Sequence, residues 1–155
     1  MSAQTSDDRR RLHLRAGWWC VAVFALGGLV LEGLHGFKVG DYVDVANTTR
    51  RHMLTLAHAH GTLLGLINLA FAWTCTQIDW RPGPGSWASR LLLAATFALP
   101  VGFGLGGVFA VDGDPGLGIV LVPLGALALI AAAGLTALEG RESSSAAADA
   151  PSDSR

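Results

Sequence analysis

Two pairs of ionisable residues stand inside long apolar stretches of this chain. Glu32 and His35 lie near the end of the first stretch, and His58 and His60 lie near the start of the second. An ionisable side chain within a lipid-spanning segment is costly, so such residues usually face the protein interior and serve a function. Imidazole and carboxylate groups can bind a transition metal or a haem iron, and they can also relay protons.

The spacing within each pair predicts which side chains can act together. Glu32 and His35 are three residues apart and share one helix face, like the Glu-x-x-His pairs of helical-bundle metal sites. His58 and His60 are separated by about 200° around a helix, so they cannot point the same way. The stripe that contains His58 continues through Gly61, Gly65 and Asn68. We expect that stripe to face the other helices. His60 is expected to contact a different helix or a subunit partner, or to lean toward the membrane interface.

These four residues are the candidate ligands of a site near the outer membrane face. At 1.5 Å rise per residue, Glu32 and His58 are expected at a similar depth of roughly 7–8 Å below the boundary. All four are candidate ligands of Fe, Cu or Zn, and His58 and His60 are the candidate axial ligands of a b-type haem. Two alternatives stay open: a structural Glu–His pair that fixes helix register, and a path for protons or ions.

Four apolar runs of spanning length position these residues. They cover residues 16–37, 53–75, 91–111 and 117–138. Each is long enough to cross about 30 Å of hydrocarbon, and the backbone of a lipid-spanning segment must be helical to satisfy its own hydrogen bonds. Short connections make consecutive helices antiparallel. The predicted fold is therefore an all-α integral membrane protein, a four-helix up-down bundle over residues 16–138.

Basic and aromatic residues predict the orientation. Most Lys and Arg residues flank the first run on its N-terminal side, the second connection and the end of the fourth run, which places both termini in the cytoplasm. Tryptophans expected at the same inner boundary are Trp18, Trp19, Trp73, Trp80 and Trp87. The predicted location is a bacterial-type cytoplasmic (inner) membrane. Residues 1–15 are expected to form a basic arm in which His13 has no special role, and residues 139–155 a disordered tail rich in Ser, Ala and Asp.

Composition excludes several classes of protein. The chain has 155 residues, 51% of them hydrophobic, and a net charge of −1, so it has no electrostatic footprint for nucleic acid. Its two cysteines, Cys20 and Cys75, form neither a disulfide framework nor a CxxC motif. No nucleophilic triad, phosphate-binding loop or soluble catalytic domain is visible, so the sequence assigns no catalytic residue.

One stretch resembles a known family. The segment Leu54-Thr55-Leu56-Ala57-His58-Ala59-His60-Gly61-Thr62-Leu63-Leu64-Gly65 is similar to the histidine-bearing second helix of the haem-copper oxidase catalytic subunit and its small four-helix relatives. The resemblance implies a haem ligand at His60, or at His58 by a shift of two residues. It covers one helix of four. The family needs further histidines on later helices, and this chain has none after His60, so a complete haem-copper site is excluded.

Three interpretations of the function follow as expectations. The first is a small membrane protein with a His/Glu haem or transition-metal site near the outer face, used in redox or metal handling, with His58 as the leading ligand. The second is a non-catalytic membrane subunit or scaffold in which the Glu–His cluster is structural. Its expected neighbours are lipid and, through the glycine faces, a second copy or a membrane-complex partner. A transporter is a third interpretation, and four helices would have to oligomerise to form one.

Overall fold

The computed structural model describes residues 2–44, 48–78, 80 and 83–148. The described residues are helical, with one isolated bridge between Val111 and Asp114 as their sole extended pairing. The helices are α1 (Ser2–Gly36), the short α2 (Gly40–Val43), α3 (Thr48–Thr74), α4 (Pro84–Val108) and α5 (Leu121–Ala148), which is preceded by a 3₁₀ turn (Leu117–Val120).

Four of these helical segments are long and apolar enough to span a membrane. They are Ser6–Gly36, Thr48–Thr74, Pro84–Val108 and Leu117–Gly140. Each predicted span falls on one of them, so the prediction of four membrane-length helices is confirmed. α1, α3 and α4 begin before their apolar runs and end one to three residues before those runs do, whereas α5 continues beyond its run to Ala148.

Consecutive helices pack against each other in alternating directions. The extensive contacts join α1 to α3, α3 to α4, and α4 to α5. The arrangement is therefore an up-down series in chain order, with α1 and α5 at its two edges. We call the end that carries α2 the outer end, and the end that carries the connection from α3 to α4 the inner end. The start of α1 and Gly140 of α5 both lie at the inner end, where Arg9 packs on Trp80 and Gly140 lies beside Ile78.

Glycines bring α1 and α3 into direct backbone contact. A Cβ atom on Gly17 would lie 2.8 Å from the carbonyl oxygen of Gly65, and a Cβ on Gly65 would lie 3.0 Å from the carbonyl oxygen of Gly17. One turn or more farther out, the ring of Phe24 rests directly on Gly61. The absence of side chains at these positions lets the two helices approach closely, as is common in membrane helix pairs. We call this contact the α1–α3 seam.

The outer connections are tied together by hydrogen bonds. Asp112 and Gly113 both have positive φ angles, of 51° and 86°, which is typical of a tight hairpin turn. The Thr49 hydroxyl donates to the Gly113 carbonyl at 2.6 Å, and Arg50 donates to the carbonyls of Ala110 and Asp41. The connection from α4 to α5 is therefore a tight turn, and it is hydrogen-bonded to the first turn of α3.

Three expectations about the flanking segments need correction. The basic arm is a continuation of α1, and its His13 is completely buried. Trp80 is also buried, with its ring tilted against that of Phe71 in the inner core, whereas the other four tryptophans are exposed, as expected for interface residues. The tail expected to be disordered from residue 139 is helical as far as Ala148, and residues 149–155 lie outside the described residues.

Candidate functional site

A cavity of about 860 Å³ lies between α1 and α3 at the outer end. We call it the outer cavity. Its lining residues are Ala25, Gly28, Leu31, Glu32, His35, Tyr42, Thr48, Thr49, Arg51, His52, Met53, Thr55 and His58. The side chains that line it nearer the middle of the helices are small or apolar. Those that line it nearer the outer end carry charged, imidazole and hydroxyl groups. Its volume lies in the range of about 300–1,000 Å³ that small-molecule and cofactor sites occupy.

His58 is fixed in the wall of this cavity by the backbone of α1. Its Nδ1 atom lies 2.6 Å from the carbonyl oxygen of Phe24. A carbonyl oxygen only accepts, so Nδ1 carries the proton, and Nε2 of the neutral ring keeps its lone pair. The ring lies directly on Gly28, which has no side chain to displace it. The sequence prediction that the stripe of His58, Gly61, Gly65 and Asn68 faces the other helices is confirmed.

His60 lies on a different side of α3. Its ring packs on Phe103 of α4 with the ring centroids 4.7 Å apart, and its Nδ1 donates to the Leu56 carbonyl one turn back on its own helix. Of the alternatives expected for His60, the structure shows contact with a different helix from the one that His58 contacts. Because the two rings face different neighbours, they do not share the outer cavity.

Glu32 and His35 both line the outer cavity, but Glu32 is not level with His58. The His58 ring contacts α1 at Phe24 and Gly28, and Glu32 is a further turn, about 6 Å, toward the outer end. The expectation of equal depth is wrong because α3 begins at Thr48, several residues before its apolar run, so its polar first turn occupies the outermost level. Within the described residues, no group of three or more His, Cys, Asp or Glu side chains is placed to hold a metal ion.

A second polar site lies at the inner end, and the sequence prediction missed its central residue. His13, Asn68, Ser89 and Thr96 form a hydrogen-bonded group across α1, α3 and α4, and they are 0%, 0%, 4% and 7% exposed. His13 Nδ1 lies 2.6 Å from Asn68 Oδ1, and His13 Nε2 lies 2.8 Å from Ser89 Oγ. Asn68 Nδ2 donates to the Leu64 carbonyl and to Thr96 Oγ1. We call this group the inner polar network.

The directions of these hydrogen bonds follow from one another. Both donations by the Asn68 amide leave its oxygen to face His13, so His13 Nδ1 is the donor and Nε2 accepts from the Ser89 hydroxyl. The Thr96 hydroxyl in turn donates to the Leu92 carbonyl at 2.7 Å. A buried polar group without a partner costs about 1–3 kcal/mol, and this network provides each side chain with one. It joins three helices at one level.

A signal for this network is present in the sequence. His13 is four residues before Gly17, and Asn68 is three residues after Gly65. If the antiparallel helices cross at the two glycines, His13 and Asn68 must lie at one level and on facing sides. The helical stripe through His58 placed Asn68 correctly in the interior. Its partner was missed because neighbouring charges assigned His13 to an arm.

Two further residues of the site, Arg51 and His52, come from the first turn of α3. Both line the outer cavity, Arg51 half-buried and His52 exposed. Both cysteines are free thiols, as expected.

Comparison with protein-family models, with curated proteins and with solved structures gives no match. The functional argument therefore depends on the geometry of the two polar sites.

Proposed function

We propose that this chain is a multi-pass protein of a bacterial-type inner membrane that binds one b-type haem in the outer cavity, with His58 Nε2 as an axial ligand, and serves in redox chemistry. The observation that carries the proposal is the hydrogen bond from His58 Nδ1 to the Phe24 carbonyl. Metal-binding histidines usually donate their other ring N–H to a carbonyl or carboxylate, which fixes the tautomer and the ring orientation. His58 has this arrangement in the wall of a cofactor-sized cavity.

Haem fits the side chains better than a lone metal ion does. A structural or catalytic zinc site needs three or four protein ligands, and the described residues supply no such group. Haem brings its own equatorial nitrogens and needs one or two axial ligands from the protein. The resemblance of residues 54–65 to a haem-binding helix supports the same choice. Of its two candidate histidines, we propose His58, because His60 packs on Phe103 away from the outer cavity.

Passage of protons between the two polar sites is less well supported. The α1–α3 seam lies between the outer cavity and the inner polar network. It is built from Val21, Phe24, Gly61 and Gly65, which bring no titratable side chain. A relay along this seam would have to cross several turns of closely packed apolar helix.

The test is a visible absorption spectrum of the detergent-purified protein, oxidised and then reduced with dithionite, from cells supplied with haem. We expect a stoichiometric Soret band that is lost in His58→Ala and retained in His60→Ala. In His58→Gly, added imidazole should restore the band, because a free imidazole can replace the missing ligand. An unchanged spectrum in His58→Ala, or no Soret band in the wild type, would overturn the proposal.

A second function is favoured by the same hydrogen bond if no cofactor binds. His58 joins α3 to the backbone of α1, which is the role expected of a structural histidine in a membrane subunit or scaffold. Partners would then bind the exposed apolar faces of α1 and α5, which the described residues leave uncovered. In that case the wild type gives a blank spectrum, and His58→Ala lowers the unfolding temperature without any spectral change.

A further inference from the structure

The polar outer region of the outer cavity contains a cation, Arg51, that pairs with no carboxylate among the described residues. Arg51 is half-buried there, and it takes no part in the ion pairs of Arg10 and Arg11 with Asp7. Glu32 lines the same cavity but forms no ion pair with Arg51. The other titratable side chains in the lining are His35, Tyr42, His52 and His58. A ligand that fills the cavity therefore meets a guanidinium with its hydrogen-bonding capacity available.

Arg51 and His58 lie on one face of α3. They are seven residues apart, which is two helical turns or about 10 Å, and Thr55 lies between them on the same side. The floor near His58 consists of Ala25, Gly28 and Leu31. The cavity is thus apolar beside His58, and farther out its lining includes the Arg51 guanidinium and the Glu32 carboxylate. An apolar molecule that carries an acid group at one edge would match this lining if the acid group lay on the Arg51 side.

We propose that Arg51 binds a carboxylate of the cavity's ligand, which makes the ligand an amphiphile with its acid edge at the outer end and its apolar body against α1 and α3. This inference rests on the proposed function, in which the carboxylate is a porphyrin propionate. The planar guanidinium forms paired hydrogen bonds with a carboxylate, a geometry that an ammonium group does not reproduce. Arg51 therefore determines the orientation of the ligand in the cavity.

The experiment uses metal-free protoporphyrin IX and its dimethyl ester, which differ in the free carboxylates and contain no iron. Binding of each to the full-length protein in detergent is followed by porphyrin fluorescence. We expect the free acid to bind at least ~10-fold more tightly than the ester, since a hydrogen bond to a charged group contributes about 1.5–3 kcal/mol. Arg51→Gln should remove this preference and Arg51→Lys should retain only a fraction of it. Lys38→Gln, which removes an exposed cation outside the cavity lining, should leave the preference unchanged.

The outcomes separate this inference from the proposed function. If acid and ester bind equally, or if Arg51→Gln keeps the preference, the role of Arg51 is overturned even where His58 ligates haem. If the acid preference depends on Arg51 but His58→Ala leaves the haem spectrum unchanged, the inference stands and the axial ligand is overturned. If neither porphyrin binds, both proposals are overturned. Far-ultraviolet circular dichroism of each variant confirms that it is folded.

Discussion

His13 Nδ1 lies 2.6 Å from Asn68 Oδ1, and neither residue is accessible to solvent. The pair joins α1 to α3 on the inner side of the α1–α3 seam, and Ser89 adds α4 to the same junction. On the outer side of that seam, His58 joins the same two helices through the Phe24 carbonyl. The two helices are thus pinned by a histidine on each side of a glycine contact, one histidine contributed by each helix.

Asn68→Ala tests the inner of these two pins. The substitution leaves the His13 N–H buried without its acceptor, so we expect the free energy of unfolding to fall by about 1–3 kcal/mol. The measurement is unfolding in mixed micelles, followed by circular dichroism. Thr74→Ala is the control, because that hydroxyl bonds only to its own helix at an exposed site. Equal stability of the two variants would contradict the prediction.

Gly28→Ala tests the outer pin, and its neighbour supplies a matched control. A Cβ on Gly28 would overlap the His58 ring, whereas a Cβ on Gly27 meets nothing within 4 Å. We expect Gly28→Ala to cost about 1–3 kcal/mol of stability and to abolish the proposed Soret band, since the ring must move. Gly27→Ala should do neither. In a His58→Ala background the stability cost of Gly28→Ala should disappear, and a cost that persists would show that another contact is responsible.

The α1–α3 seam gives a third prediction. Gly65→Ala would place a methyl group 2.9 Å from Val21 Cγ2 and 3.0 Å from the Gly17 carbonyl oxygen, so the helices must separate. We expect a loss of about 1–3 kcal/mol in unfolding free energy. Gly33→Ala, where nothing lies within 4 Å, should be neutral or slightly stabilising, since Ala is the better helix former. A neutral Gly65→Ala would mean that the seam is not closely packed in the membrane.

The orientation across the membrane is a fourth prediction. We expect both ends of the chain in the cytoplasm, because the basic residues concentrate at the inner end. A fluorescent protein fused after Ala148 should therefore be fluorescent, and alkaline phosphatase inserted at Gly113 should be active. An active phosphatase after Ala148 together with an inactive one at Gly113 would reverse the orientation and place the outer cavity in the cytoplasm.

The sequence is sufficient to predict the helices, because spanning length and apolar composition follow directly from the residues. It also separates His58 from His60, since helical periodicity alone places them on different sides. It is not sufficient to predict at what depth along the bundle each side chain lies. The first turn of α3, Thr48–His52, is polar and resembles a loop in the sequence. The pattern therefore places Glu32 at the level of His58, whereas Glu32 lies one turn farther out. The role of His13 is hidden for a similar reason, because charged neighbours mark it as outside the bundle although packing places it within.

The packing of each long helix on the next one in the chain has a consequence for biogenesis. In co-translational insertion α1 would enter the bilayer before α3, and their closely packed glycines would allow the two to dock as a hairpin. This intermediate has one imidazole nitrogen of His13 still unbonded until α4 brings Ser89 to it. In a hairpin docked out of register, His13 would not be placed to accept a hydrogen bond from the Ser89 hydroxyl. The packing of α4 therefore stabilises only the correctly aligned pair. Assembly can thus proceed in order of synthesis, with α4 completing the inner polar network only on a pair of α1 and α3 that is in register.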